Sequence, residues 1–317
     1  MRTLVVGAGA TGGYYGARLA EAGADITFLV RPARAERLAA DGLNVSSPLG
    51  DLHLASPRTV TAAKLGEAGA FDLVFLSCKA YDLASAMEDV APAVGPGTAI
   101  LPVLNGMAHL DALDARFGAD KVLGGSCAIA ATLASDGSIR HMTELCSITY
   151  GERDGSTSAR IEAVDALMKE GGPKFQPRRS DKIVLEMWEK WVFLATLAGS
   201  TTLMRAAVGD IVAAPGGRDF ILALQGECTA IATAAGFAPR EKVADGARTT
   251  LTTEGSTFTA SMLRDIEGRG RIEADHVIGD LIARARTLLP GTPTPALDRA
   301  YTGLKSYEAR RARETKA

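Results

Sequence analysis

Apolar positions first come in short, nearly unbroken runs. Residues 2–6 (RTLVV), 25–30 (DITFLV), 72–77 (DLVFLS) and 98–104 (TAILPVL) follow this pattern, which suits strands covered on both faces in a parallel sheet. After the first run, GAGATGG leads into a helix-compatible stretch ending at Glu21, with Gly23 as a stop. LNVSSPLGDLHLAS alternates on both sides of a Pro-Leu-Gly-Asp turn and predicts a hairpin. SIRHMT and CSITYGE read as two later antiparallel strands.

The grammar changes after residues 171–179 (GGPKFQPRR). Ser180 is placed to N-cap a helix running through Lys190, since its hydroxyl can accept an orphan first-turn amide. Further helical stretches follow, punctuated by PGG at 215–217, GFAP at 236–239, EGR at 267–269 and PGTPTP at 290–295, and no strand pattern returns. The expected class is α/β. An N-terminal Rossmann-type, doubly wound domain spans residues 1–178, and an all-helical C-terminal domain spans residues 179–317. The 317 residues suffice for two domains of about 150 residues each. A ligand is expected in a cleft between them.

Composition narrows the partners. The chain is 47% hydrophobic and 23% charged with a formal net charge of −2, so it offers no basic footprint for nucleic acid. The four cysteines, Cys78, Cys127, Cys146 and Cys228, form no C-x-x-C pair. That spacing suits reduced thiols in the cytoplasm better than a disulfide framework or a zinc site. The four histidines show no ligand spacing, and no metal is expected. MRTLVVGAGATGG passes into glycines too soon for a signal peptide. No apolar stretch reaches the roughly 18 residues of a membrane span. The expected setting is cytoplasmic, with a small-molecule ligand, and the helical domain offers a surface for a homodimer.

Gly7-Ala8-Gly9-Ala10-Thr11-Gly12 fits G-x-G-x-x-G, and its place after a strand and before a helix makes the match specific. Gly7 permits the turn, Gly9 admits a pyrophosphate and Gly12 lets the helix pack closely. The helix N-terminus supplies amides and a positive dipole end. The second predicted strand ends on FLVRPARAER, with Arg31 where an acidic residue would bind the ribose hydroxyl of NAD, and Arg34 and Arg37 close by. A guanidinium suits a 2′-phosphate, so the cofactor expected is NADP(H). Lys79 and Asn105 follow two further predicted strands on the same edge, where open α/β sheets bind ligands.

In the second domain EMWEKWVFLATLAG sets Lys190 between the only two tryptophans, Trp188 and Trp191. Ile183, Glu186, Met187, Phe193 and Leu194 share its face at helical spacing. Two readings stand. Lys190 is a lysine snorkelling from a partly buried helix, or an ammonium that protonates a carbonyl oxygen as hydride reaches its carbon. Glu273 opens a helix with Val277, Asp280 and Leu281 on its face, as a cleft residue or as a favourable first-turn acid. Ser261 is a cap-region hydroxyl or a ligand contact.

GAGATGG, Arg31 after the second strand, CKAYD with Lys79, LNGM with Asn105, WEKW with Lys190 and SMLRDIEGRGRIEAD with Ser261 and Glu273 occur in this order. Together with the tail TPTPALDRAYTGLKSYE they resemble the ketopantoate reductase (2-dehydropantoate 2-reductase) family along essentially the whole chain. The resemblance implies NADPH-dependent reduction of a 2-oxo acid to a 2-hydroxy acid. The implied substrate is ketopantoate, whose product pantoate feeds pantothenate and coenzyme A synthesis. It implies Lys190 as general acid and Glu273 as the residue that holds the substrate hydroxyl and completes the catalytic and cofactor site. Ser261 is implied to bond substrate, Asn105 substrate and cofactor, and Lys79 cofactor, with an alanine near Ala131, after the sixth strand, also touching NADPH.

One departure matters. Leu194 and Ala198 stand where the family pattern places two substrate-holding asparagines. Either Arg205, Thr201 or Thr202 compensates, or the substrate is a less hydroxylated oxo acid. A dehydrogenase of another small oxo or hydroxy acid on the same fold is one alternative. A non-catalytic NADPH-binding regulator is the other.

Overall fold

The chain enters on β1 (Thr3–Val6), crosses through α1 (Ala10–Glu21) to β2 (Ile26–Leu29), and passes α2 (Pro32–Asp41) into β3 (Leu43–Ser46) and β4 (Leu52–Leu54). Then follow β5 (Thr59–Val60), α3 (Ala62–Ala68), β6 (Leu73–Leu76), α4 (Leu83–Val90) and β7 (Ala99–Pro102). This computed structural model describes residues 1–316; the last residue of the predicted helical domain, 317, lies outside the described residues. A parallel sheet runs in the order β5-β2-β1-β6-β7. The chain winds from β1 toward β5 and then, from β6, toward β7, so the strand order reverses between β1 and β6. That reversal is the Rossmann arrangement expected from the sequence. Strands β1, β6 and β7 bury every residue, which explains why they read as unbroken apolar runs.

A second sheet follows from α5 (Ala108–Phe117), β8 (Gly124–Leu133), β9 (Ile139–Gly151), α6 (Ala159–Glu170) and β10 (Pro177–Arg179). The predicted hairpin forms, with β3 and β4 antiparallel from Leu43↔Leu54 to Val45↔Leu52. It joins this sheet through β9. The two strands read in SIRHMT and CSITYGE are one strand of 13 residues, antiparallel to β8 but parallel to β3 and β10. A bulge hid this continuity. Between the pairs Ile129↔Cys146 and Ala131↔His141, β8 advances two residues while β9 advances five. His141 Nε2 closes the bulge 3.2 Å from the Leu145 carbonyl. The segment read as a change of grammar also carries a strand, β10.

Helix α1 has residues 12–19 buried throughout, because it packs against the parallel sheet on one side and the second sheet on the other. Tyr14, Tyr15 and Ala17 share one core with Val5, Phe28 and Phe75 of the first sheet and with Ile139, Ile148 and Tyr150 of β9. Burying each of the aromatic rings contributes about 1.5–3 kcal/mol.

The helical part comprises α7 (Ile183–Met204), α8 (Val208–Ala213), α9 (Gly217–Ala234), α10 (Glu241–Leu251), α11 (Ser261–Glu267), α12 (Asp280–Leu288) and α13 (Pro295–Lys316). A π-helical turn, Asp275–Gly279, precedes α12. Among the described residues no strand follows Arg179. The predicted glycines and prolines mark the breaks before α9, before α10, after α11 and before α13, whereas the breaks at 205–207 and 252–260 are not among those predicted. Ser180 does not cap α7, which starts at Ile183; its hydroxyl instead accepts the Lys182 amide at 3.0 Å and closes the turn before the helix. The first amides of α13 are met by the Glu227 carboxylate of α9, 2.9 Å from Ala296 N and 2.8 Å from Leu297 N. Negative charge is favourable at such a terminus.

The contacts divide the chain into two compact units. Met1–Leu104 and His109–Ile183 form one; Asn105–Ala108 and the chain from residue 184 onward form the other. The four residues Asn105–Ala108, which follow β7 after a gap of two residues, thus belong with the helices.

Candidate active site

In the first unit, Gly7 to Gly12 link the end of β1 to the start of α1. Gly7 has φ +90, a conformation that L side chains rarely adopt, and its amide donates to the Leu29 carbonyl at 2.9 Å. A Cβ on Gly12 would stand 2.6 Å from the Gly7 carbonyl and nearer still to the Ser77 hydroxyl, so only glycine lets α1 lie this close to the sheet. A Cβ on Gly9 would meet nothing within 4 Å. Gly9 caps α1 with no side chain, which leaves room at a positively polarised helix N-terminus. Ala8, Ala10 and Thr11 complete the loop. The cradle fits a dinucleotide pyrophosphate.

Arg31 follows β2 and precedes α2. Its side chain is 81% exposed and lies 3.5 Å from the Asp82 carboxylate. A pair that exposed is worth little, so the guanidinium can turn to a phosphate at small cost. Arg34 differs. Its Nη2 donates to the Ala8 carbonyl at 3.0 Å, and a Cβ on Gly137, in the turn between β8 and β9, would lie 2.7 Å from its Nη1. Burial, with the Arg37 charge next in effect, holds its pKa below the usual arginine value. Arg34 therefore braces the glycine loop, a role not legible in the sequence because 26 residues separate it from Ala8. Lys79 follows β6, half-buried, and opens the short turn Ala80–Asp82 that carries Asp82 to Arg31. Ala131 lies within β8, paired with His141 beside the bulge, and not after a strand as expected.

Asn105, Lys190, Ser261 and Glu273, the four residues expected to hold substrate, all fall in the second unit. Lys190 is half-buried on α7. Trp191 beside it is 1% exposed, and its indole Nε1 donates to the Val277 carbonyl at 2.9 Å. That bond joins the lysine's helix to the π-helical turn. Glu273, 8% exposed, stands just before this turn, and its carbonyl accepts the Val277 amide at 3.0 Å. That four-residue bond is α-helical, so Glu273 does open a helix, which passes within two residues into the π turn. The π turn adds a residue to the local repeat and shifts Asp280 and Leu281 off the predicted face. Such turns recur at functional sites.

The loop bearing Asn105 meets the same turn. Gly106 has φ +77, and a Cβ there would stand 2.6 Å from the His276 carbonyl, so glycine permits the approach. Burial, opposed by the nearby Glu273, Asp280 and Asp275 carboxylates, holds the His276 imidazole below its ordinary value. Ser261 is the exposed first residue of α11. Thr201 fixes that helix from α7, accepting the Ala260 amide at 3.4 Å.

Thr201, Thr202 and Arg205, the groups named as possible compensation for Leu194 and Ala198, differ in their surroundings. Thr201 and Thr202 are buried, and their hydroxyls donate to the Leu197 and Ala198 carbonyls at 2.7 Å and 2.5 Å. Arg205 is 2.9 Å from the Glu267 carboxylate. The two threonine protons are thus engaged within α7, whereas the exposed Arg205–Glu267 pair is worth little and leaves that guanidinium able to turn to a ligand.

All four cysteines are free. Burial pushes the Cys146 thiol up to about 11 and the Cys228 thiol up to about 12, so both stay protonated at neutral pH. Among the described residues no group of three or more His, Cys, Asp or Glu is placed to hold a metal ion. None of their helices is long and apolar enough to cross a membrane.

Comparison with known proteins matches residues 3–155 to the family model for ketopantoate reductase PanE/ApbA and residues 182–308 to that for its C-terminal part. An uncharacterized oxidoreductase, YkpB, of Bacillus subtilis (strain 168) is 37% identical over 98% of this chain and 99% of its own length. A 2-dehydropantoate 2-reductase of Mesorhizobium japonicum is 30% identical over 94% of this chain and 95% of its own. The crystal structure of 2-dehydropantoate 2-reductase from Geobacter metallireducens GS-15 superposes with a TM-score of 0.86 at 28% identity, covering 96% of this chain and 99% of that one. A D-mandelate dehydrogenase solved with NADH and anilino(oxo)acetate shares the fold, with a TM-score of 0.86 at 18% identity over 98% of this chain and 99% of that one.

Proposed function

The chain belongs to the ketopantoate reductase family, and we propose that it reduces a 2-oxo acid to the 2-hydroxy acid with NADPH. The observation that carries the reading is the Trp191–Val277 hydrogen bond. It fixes the helix of Lys190 against the turn that follows Glu273, so an ammonium and a carboxylate are held on one folded unit. NADPH, when bound, supplies the hydride.

The glycine loop and the N-terminus of α1 hold the pyrophosphate, and Arg31 meets the 2′-phosphate as its weak pairing with Asp82 is exchanged. Asn105 and Ser261 orient the oxo acid by hydrogen bonds. Lys190 binds the C2 oxygen and delivers a proton to it from Nζ as that oxygen gains negative charge, an effect worth about 10²–10⁴ in rate. Glu273 accepts a hydrogen bond from the hydroxyl so formed. The setting proposed is cytoplasmic. Ketopantoate, the substrate named for the Mesorhizobium relative, is the first to assay, followed by other 2-oxo acids. The measurement is loss of NADPH absorbance. A protein that binds NADPH yet oxidises it with no 2-oxo acid would end this reading.

A further inference from the structure

On the C-terminal side of Lys190 its face of α7 is apolar. Phe193 and Leu194, three and four residues on, are its neighbours on the helix surface, and both are half-buried. The Phe193 ring lies 6.1 Å from that of Phe258, an aromatic side chain left 42% exposed. The Phe258 loop is well anchored. Its carbonyl accepts the Val208 amide at 3.0 Å, and the Ser256 carbonyl accepts the Gly209 amide at 2.8 Å. Three residues beyond Phe258 the chain enters α11 at Ser261. An exposed phenylalanine is thus held rigidly between the lysine's helix and a predicted substrate hydroxyl.

The polar side chains further along α7 do not relieve this. Thr196, Ser200, Thr201 and Thr202 each donate to the carbonyl four residues earlier, at 2.5–2.8 Å. Asn105, Ser261, Lys190 and Glu273 match the carboxylate and the C2 oxygen, which every 2-oxo acid possesses. What varies among 2-oxo acids is the substituent beyond C2.

We infer that the substrate is a 2-oxo acid whose branched or aromatic side chain carries no hydroxyl, packed on Leu194, Phe193 and Phe258. The inference rests on the reductase reading of the Lys190 site and narrows its substrate. A pocket that hydrogen-bonds a substrate hydroxyl rejects the analogue lacking it by about 10⁴–10⁵, whereas an apolar pocket rejects an added hydroxyl by only about 10². The direction of preference therefore reports which kind of surface is present.

Ketopantoate is 3,3-dimethyl-2-oxobutanoate with one added hydroxyl, on the C4 carbon attached to the branched C3. In steady-state NADPH oxidation by the full chain, kcat/KM should favour 3,3-dimethyl-2-oxobutanoate by about 10- to 100-fold. Leu194→Asn should move that ratio toward ketopantoate by at least about tenfold, since it adds a donor and an acceptor to the face. A wild-type ratio of one or below overturns the inference and leaves the reductase reading standing. Absence of turnover with both acids, and with phenylpyruvate and 4-methyl-2-oxopentanoate, overturns that reading and the inference with it. The wild-type ratio decides the matter even if Leu194→Asn fails to fold.

Discussion

The two units build their sites in opposite ways. The first sets its proposed cofactor cradle in six consecutive residues, Gly7 to Gly12, where one strand passes into one helix. The second collects Asn105, Lys190, Ser261 and Glu273 from across more than half the chain. A contiguous motif works because its geometry is local: a turn, a close helix packing and a helix end. The scattered set works only after α7, the π turn and the loop after β7 have packed together. Damage should therefore show differently in the two units.

The largest effect is expected from Lys190→Ala, which should lower kcat by about 10²–10⁴ while NADPH affinity stays unchanged. Stopped-flow turnover and NADPH fluorescence titration check this, and an unaltered kcat would return Lys190 to the role of a snorkelling lysine. Gly12→Ala acts on the other unit. Its Cβ would crowd the Gly7 carbonyl at 2.6 Å, so stability should fall by about 1–3 kcal/mol and NADPH binding should weaken. Urea unfolding with and without NADPH measures both, and a wild-type midpoint would show that the loop yields.

Arg31→Ala should weaken NADPH by about tenfold or more, as a charge-assisted phosphate contact is lost, and leave NADH nearly unaffected. Equal weakening of both nucleotides would mean that Arg31 does not read the 2′-phosphate. The smallest effect concerns pH and the second unit. Burial keeps the His276 pKa below its ordinary 6.5. The unfolded chain takes up a proton as pH falls through that value, while the folded chain does so only at lower pH. This contribution to stability is thus complete above 6.5 and lost on acidification below it. His276→Gln should flatten that part of the urea-midpoint profile; an unchanged slope would assign it to other groups.

How much was legible follows from the same contrast. The parallel strands, the β3–β4 hairpin, the helix breaks at glycines and prolines and the glycine loop were readable because each rests on side-chain period or on a local backbone need. Strand β9 was misread as two because its bulge interrupts the alternation while the ladder continues. Arg34 looked like one more loop arginine, since its bond to the Ala8 carbonyl spans 26 residues. Trp191 showed only as an aromatic neighbour of Lys190, because Val277 lies 86 residues away.

By itself the sequence determined the two-part class of the fold and the glycine motif after β1, and it named the residues proposed to bind substrate. Propensity, period and residue chemistry act over a few positions and are written along the chain. The tertiary structure decided that Asn105 belongs with the helices, that a π turn follows Glu273, and that the hydroxyls of Thr201 and Thr202 are already committed. Those outcomes depend on which distant carbonyl or backbone a group meets after packing. No local pattern encodes that meeting; Phe193 and Leu194 were legible beside Lys190 at helical spacing, but only the folded chain set Phe258 against Phe193.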